Sequence, residues 1–396
     1  MPWQGVSPVD LRMQFLTEYL TQCESMTDLA AAYGISRKTG YYWVRAYERE
    51  GLGRVAGASR RPHTSPGATP ADVVAQVVAA RQAHPTWGAG KLRAWLVGRA
   101  PTVAWPCRDT VHAILTRAGV VRQRRRRRAT VAPLRHLTVP TRPNLVWTVD
   151  FKGQFHTGDG ALCYPLTMRD GFSRYGLCCA ALRSVRTQDT QPRMARVFAE
   201  FGLPEVIRSD NGPPFGAGAL GGLSRLAVWW ARLGIQPEHI RPGCPGENGA
   251  HEQFHAVLDR DTIRPPAPTV AAQQRRFTRF LGEYNEERPH EALGQAPPAR
   301  FYTPSPRPFP ARLPPLEYPA AWPVRRVSPA GQIKWQGRPL FLSGVLADLD
   351  VALEPVADGR WLVRVAALPL ALFDERTWRL DSPQGPRQER ADKEEG

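Results

Sequence analysis

No Cys-x-x-Cys pair occurs in the 396 residues, and the six cysteines (Cys23, Cys107, Cys163, Cys178, Cys179 and Cys244) are scattered. No spacing suggests a zinc site, and there is no sign of a disulfide framework. Long apolar runs are missing as well, so no membrane span is expected, and the N-terminus lacks the basic-then-apolar order of a secretory leader. A reducing cytoplasm is the simplest location. Negative charge is scarce: 36 Asp plus Glu stand against 53 Lys plus Arg, for a net charge of +17. Such a surplus points to a polyanionic partner, with nucleic acid first. The length exceeds what one compact core sustains, so two to four domains are expected.

Against that basic background three acids stand out. Asp150 closes the apolar run Leu145-Val-Trp-Thr-Val-Asp150. Asp210 closes Val206-Ile-Arg-Ser-Asp210 and opens the turn Asn-Gly-Pro-Pro. Glu252 sits in Pro245-Gly-Glu-Asn-Gly-Ala-His-Glu252-Gln-Phe-His-Ala-Val-Leu258, which reads as the first turns of a helix. Two strand ends and a helix can bring three carboxylates together, and such a cluster repels itself unless divalent cations neutralise it. Mg²⁺ suits oxygen ligands of this kind, and a pair of such ions suits in-line attack on phosphate.

The same segments, with Tyr284-Asn-Glu-Glu-Arg-Pro-His-Glu-Ala-Leu-Gly294 after them, resemble the catalytic blocks of the retroviral-integrase core in DDE-type insertion-sequence transposases. Four blocks in the right order make the resemblance specific. It implies a ribonuclease H-like core over 140–300, in which Asp150, Asp210 and Glu252 are the catalytic and metal-holding acids. Two Mg²⁺ ions per site are implied, with Mn²⁺ as an alternative, and no small-molecule cofactor. Glu247 competes for the third role, because it lies about as far from Asp210 as the third acid lies from the second in many integrases. The Asn-Gly-x-x spacing selects Glu252 instead. The zinc-binding His/Cys module that begins retroviral integrases has no counterpart here.

Periodicity is consistent with this core. Strands are predicted at Leu145–Asp150, Leu162–Met168 and Tyr175–Ala181, the last two joined by Arg169-Asp170-Gly171. Helix and strand then alternate through Thr187–Phe201, Val206–Ile207, Ala219–Leu233 and Ile235–Ile240. The rival acids Asp159 and Asp170 fall in turns, where they have structural roles at hand. His251 and His255, at i and i+4, and Asn248 read as phosphate or substrate contacts, since no third metal ligand is adjacent in sequence.

Ahead of the core, residues 1–60 read as a helix-turn-helix domain. Ser25 and Ser36 cap helices on either side of the turn at Gly34, and the second helix offers Arg37, Lys38, Thr39 and Tyr42 to DNA. Residues 70–128 form a second helical, helix-turn-helix-like unit whose polar opening presents Arg108. It ends in an arm of six arginines, with Arg124, Arg125, Arg126, Arg127 and Arg128 in one run, which would grip phosphate with little sequence preference. After a proline-rich connector, residues 322–381 show five short alternating runs and read as a small SH3-like β-barrel, and 382–396 as a disordered tail.

The expected whole is a multidomain α/β protein that binds double-stranded DNA at element ends and target. It would work as at least a dimer, in the bacterial cytoplasm on the nucleoid, cutting and joining strands. A catalytically inactive DNA-binding regulator derived from a transposase, and a plain nuclease of the same fold, remain the alternatives.

Overall fold

A computed structural model describes residues 7–21, 24–55, 67–121, 137–216, 223–241 and 244–383. The chain divides into two compact units, residues 1–69 and 70–396. In the first, α1 (Pro8–Leu20), α2 (Met26–Ala32), α3 (Arg37–Glu50) and the short α4 (Leu52–Val55) bury Phe15, Leu16, Leu29 and Val44. The serine side chains at positions 7, 25 and 36 each accept a backbone N–H at the helix start they cap. Gly40 lets α3 approach its neighbours closely, since a Cβ there would stand 2.7 Å from Met26 Sδ.

The second unit begins with α5 (Ala71–Ala83), α6 (Ala89–Arg99) and α7 (Arg108–Arg117), three helices around the buried Trp87 and Leu92. A six-stranded mixed sheet follows, made of β1 (Val146–Phe151), β2 (Phe155–His156), β3 (Leu162–Asp170), β4 (Gly176–Leu182), β5 (Val206–Ser209) and β6 (Gln236–His239). β3 pairs antiparallel with β1, β2 and β4, while β1–β5 and β5–β6 are parallel. Between them run α8 (Thr187–Phe201) and α9 (Arg225–Arg232); α10 (Gly249–Leu258) and α11 (Val270–Gly282) come after β6. Three antiparallel strands followed by parallel strand–helix alternation is the ribonuclease H-like order expected from the sequence.

Asp170 closes β3 by accepting from Ser173 N at 2.7 Å and Asn144 N at 2.8 Å. Asp159 holds its turn through Thr157 and Ala161. The proline-rich connector lies along the core: the Arg307 guanidinium donates to the carbonyls of Pro204, Leu233 and Gly234.

The C-terminal region differs from the expected barrel. All five anticipated runs are strands, and two more follow. β7 (Val324–Arg326), β10 (Asp350–Ala357), β11 (Arg360–Val365), β12 (Leu368–Asp374) and β13 (Arg379–Asp381) form one open sheet. The strands of the hairpin β8 (Gln332–Trp335) and β9 (Arg338–Phe341) pair only with each other, as a separate two-stranded sheet. The apolar face of this region shares one hydrophobic cluster with α9 of the core, which carries Trp229 and Trp230, so the region has no separate interior.

Candidate active site

β1 and β5 are neighbours in register Trp147↔Ile207 and Thr148↔Arg208. Continuing that register carries Asp150 and Asp210 to the same level, at the carboxyl ends of adjacent parallel strands. α10 crosses there, and its Glu252 comes close enough to act electrostatically on Asp150. The Asp150 carboxyl is pushed up from 3.8 to about 7, first by burial, then by the charge of Asp210 and, more weakly, of Glu252; a backbone N–H and Lys152 oppose the rise. Three acids distant in sequence therefore share one electrostatic site, with Glu252 exposed and Asp210 half-buried. Gly212 fits tightly against this group, since a Cβ there would lie 3.0 Å from Asp210 Oδ2.

Glu247 does not join them. Its buried carboxylate accepts from Arg241 Nε at 2.7 Å and Arg241 N at 2.8 Å, closing the loop ahead of α10. That use of the side chain accounts for an acid so close to the helix without a place at the site.

The two histidines are placed differently from the expectation. His251 and His255 are buried, as is Asn248, so none of the three offers a surface to phosphate in this fold. Both imidazole Nε2 atoms lie 2.7 Å from Thr167 Oγ1, and His251 Nδ1 lies 2.7 Å from Thr148 Oγ1. Thr167 Oγ1 in turn donates to the Asp150 carbonyl at 2.9 Å. The simplest assignment has each Nε2–H donating to Thr167 and His251 Nδ1 accepting from Thr148. Burial pushes His255 down to about 3, with Lys152 and Arg169 adding to the effect, and pushes His251 well below the usual imidazole range, with His255 and Arg169 adding, so both rings stay neutral.

His251, His255 and Asp150 do place ligand atoms within 4.8 Å of one another, supplying the third group that the sequence left unpaired. Yet both nitrogens of His251 already face hydroxyls. Only His255 Nδ1, 3.8 Å from Asp150 Oδ2, is turned toward the acid. The pair is better understood as a hydrogen-bonded floor beneath Asp150. The sequence analysis missed the two threonines of that floor. Strand alternation could have found them: Thr148 shares a face with Asp150, and Thr167 is its cross-strand partner.

Of the expected DNA-contacting residues, Arg37, Lys38 and Tyr42 are exposed on α3, Thr39 is half-buried beside Ser36, and Arg108 is exposed at the start of α7. Arg124 to Arg128 lie outside the described residues. Among the described residues, no helix is long and apolar enough to cross a membrane.

Two family models, each described as an integrase core domain, match residues 140–245 and 233–298. A homeodomain-like domain matches 39–115 and a helix-turn-helix domain 11–63. A 39.2 kDa protein of insertion element IS476 from Xanthomonas euvesicatoria is 27% identical over 253 residues, covering 63% of this chain and 70% of that protein. A 31.7 kDa protein of insertion element IS407 from Burkholderia multivorans is 27% identical over 194 residues, covering 48% of this chain and 67% of that protein. Among solved structures, the HTLV-2 integrase catalytic core domain in complex with magnesium is similar at 14% identity and TM-score 0.33, covering 41% of this chain and 99% of that one. An integrase core behind helix-turn-helix domains defines a polynucleotidyl transferase of the transposase and integrase class. Within that class the proteins most like it among those named here are encoded by insertion elements.

Proposed function

We propose that this chain cuts and joins DNA at the ends of its own element, with Asp150, Asp210 and Glu252 as the acids that hold the catalytic metal. The observation that carries this reading is the electrostatic convergence of the three, which leaves Asp150 half-protonated near neutrality when no cation offsets it. A hard divalent cation fits that donor set: oxygen ligands only, mutual repulsion to neutralise, and one strand end open to solvent. Mg²⁺, with Mn²⁺ as the alternative and two ions per site, would supply activation of the attacking oxygen and neutralisation of phosphate charge.

The protein's own share is placement. The sheet fixes Asp150 and Asp210, while α10 brings Glu252 from the exposed side. The Thr167 hydroxyl locks the Asp150 backbone to α10 through the two imidazoles. The chemistry is two in-line displacements at phosphorus. Hydrolysis first frees a 3′-hydroxyl at the element end; that hydroxyl then displaces a bridging oxygen of the target strand, so no covalent enzyme intermediate is needed. Arg37, Lys38, Thr39, Tyr42 and Arg108 would contact the terminal repeats. Arg124 to Arg128 would add affinity that falls with salt. Two ends must be handled together, so a dimer or larger assembly on double-stranded DNA follows, in the cytoplasm on the nucleoid.

The test is incubation of purified protein with Mg²⁺ and labelled DNA bearing its element ends, beside Asp210→Asn. Metal-dependent nicking and joining, lost in the variant, is the expected result. Binding without cleavage in either protein under several metals would overturn it in favour of a DNA-binding regulator.

A further inference from the structure

Behind α10, on the side away from Asp150, lies a cleft of about 650 Å³ bounded by α10, by α6 and the residues before it, and by the block after α11. Five cationic side chains, Lys91, Arg169, Arg174, Arg260 and Arg288, line it against one carboxylate, Glu291. Some of this charge is answered. Arg288 and Arg260 share Asp261 at 3.2 and 3.1 Å, and Lys91 donates to the Pro289 carbonyl.

Arg169 is not answered. Its guanidinium is buried, with 2% of the residue exposed, and Nη1 donates to the Ala250 carbonyl. Its Nε has no hydrogen-bond partner, and the carboxylate that acts on its charge, Asp170, is already held by Asn144 and Ser173. A buried guanidinium without a contacting counter-charge is strongly unfavourable unless an anion completes it. A second buried atom on the same wall, His290 Nε2, also lacks a partner. Crowding of like charge is visible at Lys91, which burial and then Arg288 pull down to about 8.

We infer that this cleft is a binding site for a phosphate-bearing anion, held by Arg169 and His290 at its wall and by Lys91 and Arg174 beside them. A guanidinium and an ammonium around one space suit phosphate oxygens. His290, which burial pushes down to about 3, stays neutral, and its Nε2 can accept from a protonated phosphate oxygen. The bound anion would join three pieces of the second unit: α6, α10 and the Arg288-Pro289-His290 block. The anion has two sources of the same chemistry, the terminal phosphate of a DNA strand or a free polyphosphate.

Titration of the full chain with inorganic tripolyphosphate, by calorimetry and by thermal melting, tests this. The arginine arm will add weak, unsaturable binding, so the diagnostic quantity is the difference between wild type and cleft variants. Saturable one-to-one binding with a rise in Tm is expected, weakened at least tenfold in Lys91→Gln and in Arg174→Gln. Asp210→Asn should bind tripolyphosphate as wild type does, which separates this site from the acids. Arg169→Met removes the buried charge, and should melt higher than wild type without ligand and gain nothing from it. Displacement by a 5′-phosphorylated tetranucleotide but not its dephosphorylated form would assign the strand end as the source; displacement by neither would assign the free anion. Equal binding by wild type and both glutamine variants, or no saturable binding, would overturn the inference.

Discussion

Asp150→Asn should stabilise the metal-free protein, although it removes an acid proposed to be essential. The Asp150 carboxyl sits at about 7 in the folded chain against 3.8 as an ordinary carboxyl. A raised acid of this kind favours the folded state while protonated, below about pH 4, and that advantage is lost as pH rises through the window from about 4 to about 7. At pH 8 the fully charged group withdraws on the order of 4 kcal/mol from the fold. With the side chain 21% exposed, water screens part of this, and about 2 kcal/mol is the working figure. For a unit that spans 70–396 that corresponds to roughly 3 °C in Tm. Calorimetry of wild type and Asp150→Asn in chelator, at pH 4.5 and pH 8, reads it directly. The variant should gain a few degrees at pH 8 and almost nothing at pH 4.5. Adding Mg²⁺ at pH 8 should raise wild type and leave the variant unmoved. A variant less stable than wild type at pH 8, or a gain independent of pH, would refute the claim that Asp150 is electrostatically strained.

Glu252→Gln should lower strand cleavage by at least about 10²-fold, since a carboxylate that holds the metal supplies several kcal/mol to the transition state. Glu247→Gln should instead loosen the loop it closes with Arg241 and retain metal-dependent turnover; the reverse pattern in a nicking assay would exchange the two assignments. Thr167→Val should destabilise the fold by roughly 1–3 kcal/mol for each imidazole left without its hydroxyl, read from denaturant midpoints. Glu238→Ala should cost about 3–5 kcal/mol, because it strands a buried guanidinium: Arg208 Nε lies 2.6 Å from Glu238 Oε2, with side chains 6% and 11% exposed. A near-neutral effect there would mean that the hydrogen bond from Arg208 to the Thr138 carbonyl suffices alone.

The acids at β1 and β5 were legible because each ends an apolar run, and a run of that length between turn signals has few other readings. Glu252 needed the Asn-Gly spacing, since helical periodicity does not separate it from Glu247. What distinguishes them is a tertiary fact, the Arg241 side chain folding back on Glu247. The histidines were misplaced for a related reason. A polar pair at i and i+4 looks like surface until the opposing strand is known to present two hydroxyls, Thr148 and Thr167, at matching height. The C-terminal strands were readable from alternation, but closure into a barrel depends on pairing between strands far apart in sequence. Here β8 and β9 pair only with each other, while Trp335 is packed edge-on against Trp361 of the larger sheet.

The neutral histidines bear on how the acids stay available. A protonated imidazole 3.8 Å from Asp150 would offset its charge and compete with any cation. Burial above all, with Lys152 at His255 and Arg169 at both adding to it, holds both rings neutral, so neither can play that part at physiological pH. Lys152 offsets Asp150 only weakly, ranking below Asp210, the backbone N–H and Glu252 among the influences on it. The negative charge is therefore left unbalanced within the protein, and the groups that could have balanced it are spent on holding β1, β3 and α10 in register. Such an arrangement is poor for the stability of the empty fold and well suited to binding a cation. The same Arg169 stands at the wall of the proposed phosphate cleft, so one buried charge adds to the burial that keeps the floor of the acid site neutral and is the charge an anion in the cleft would meet.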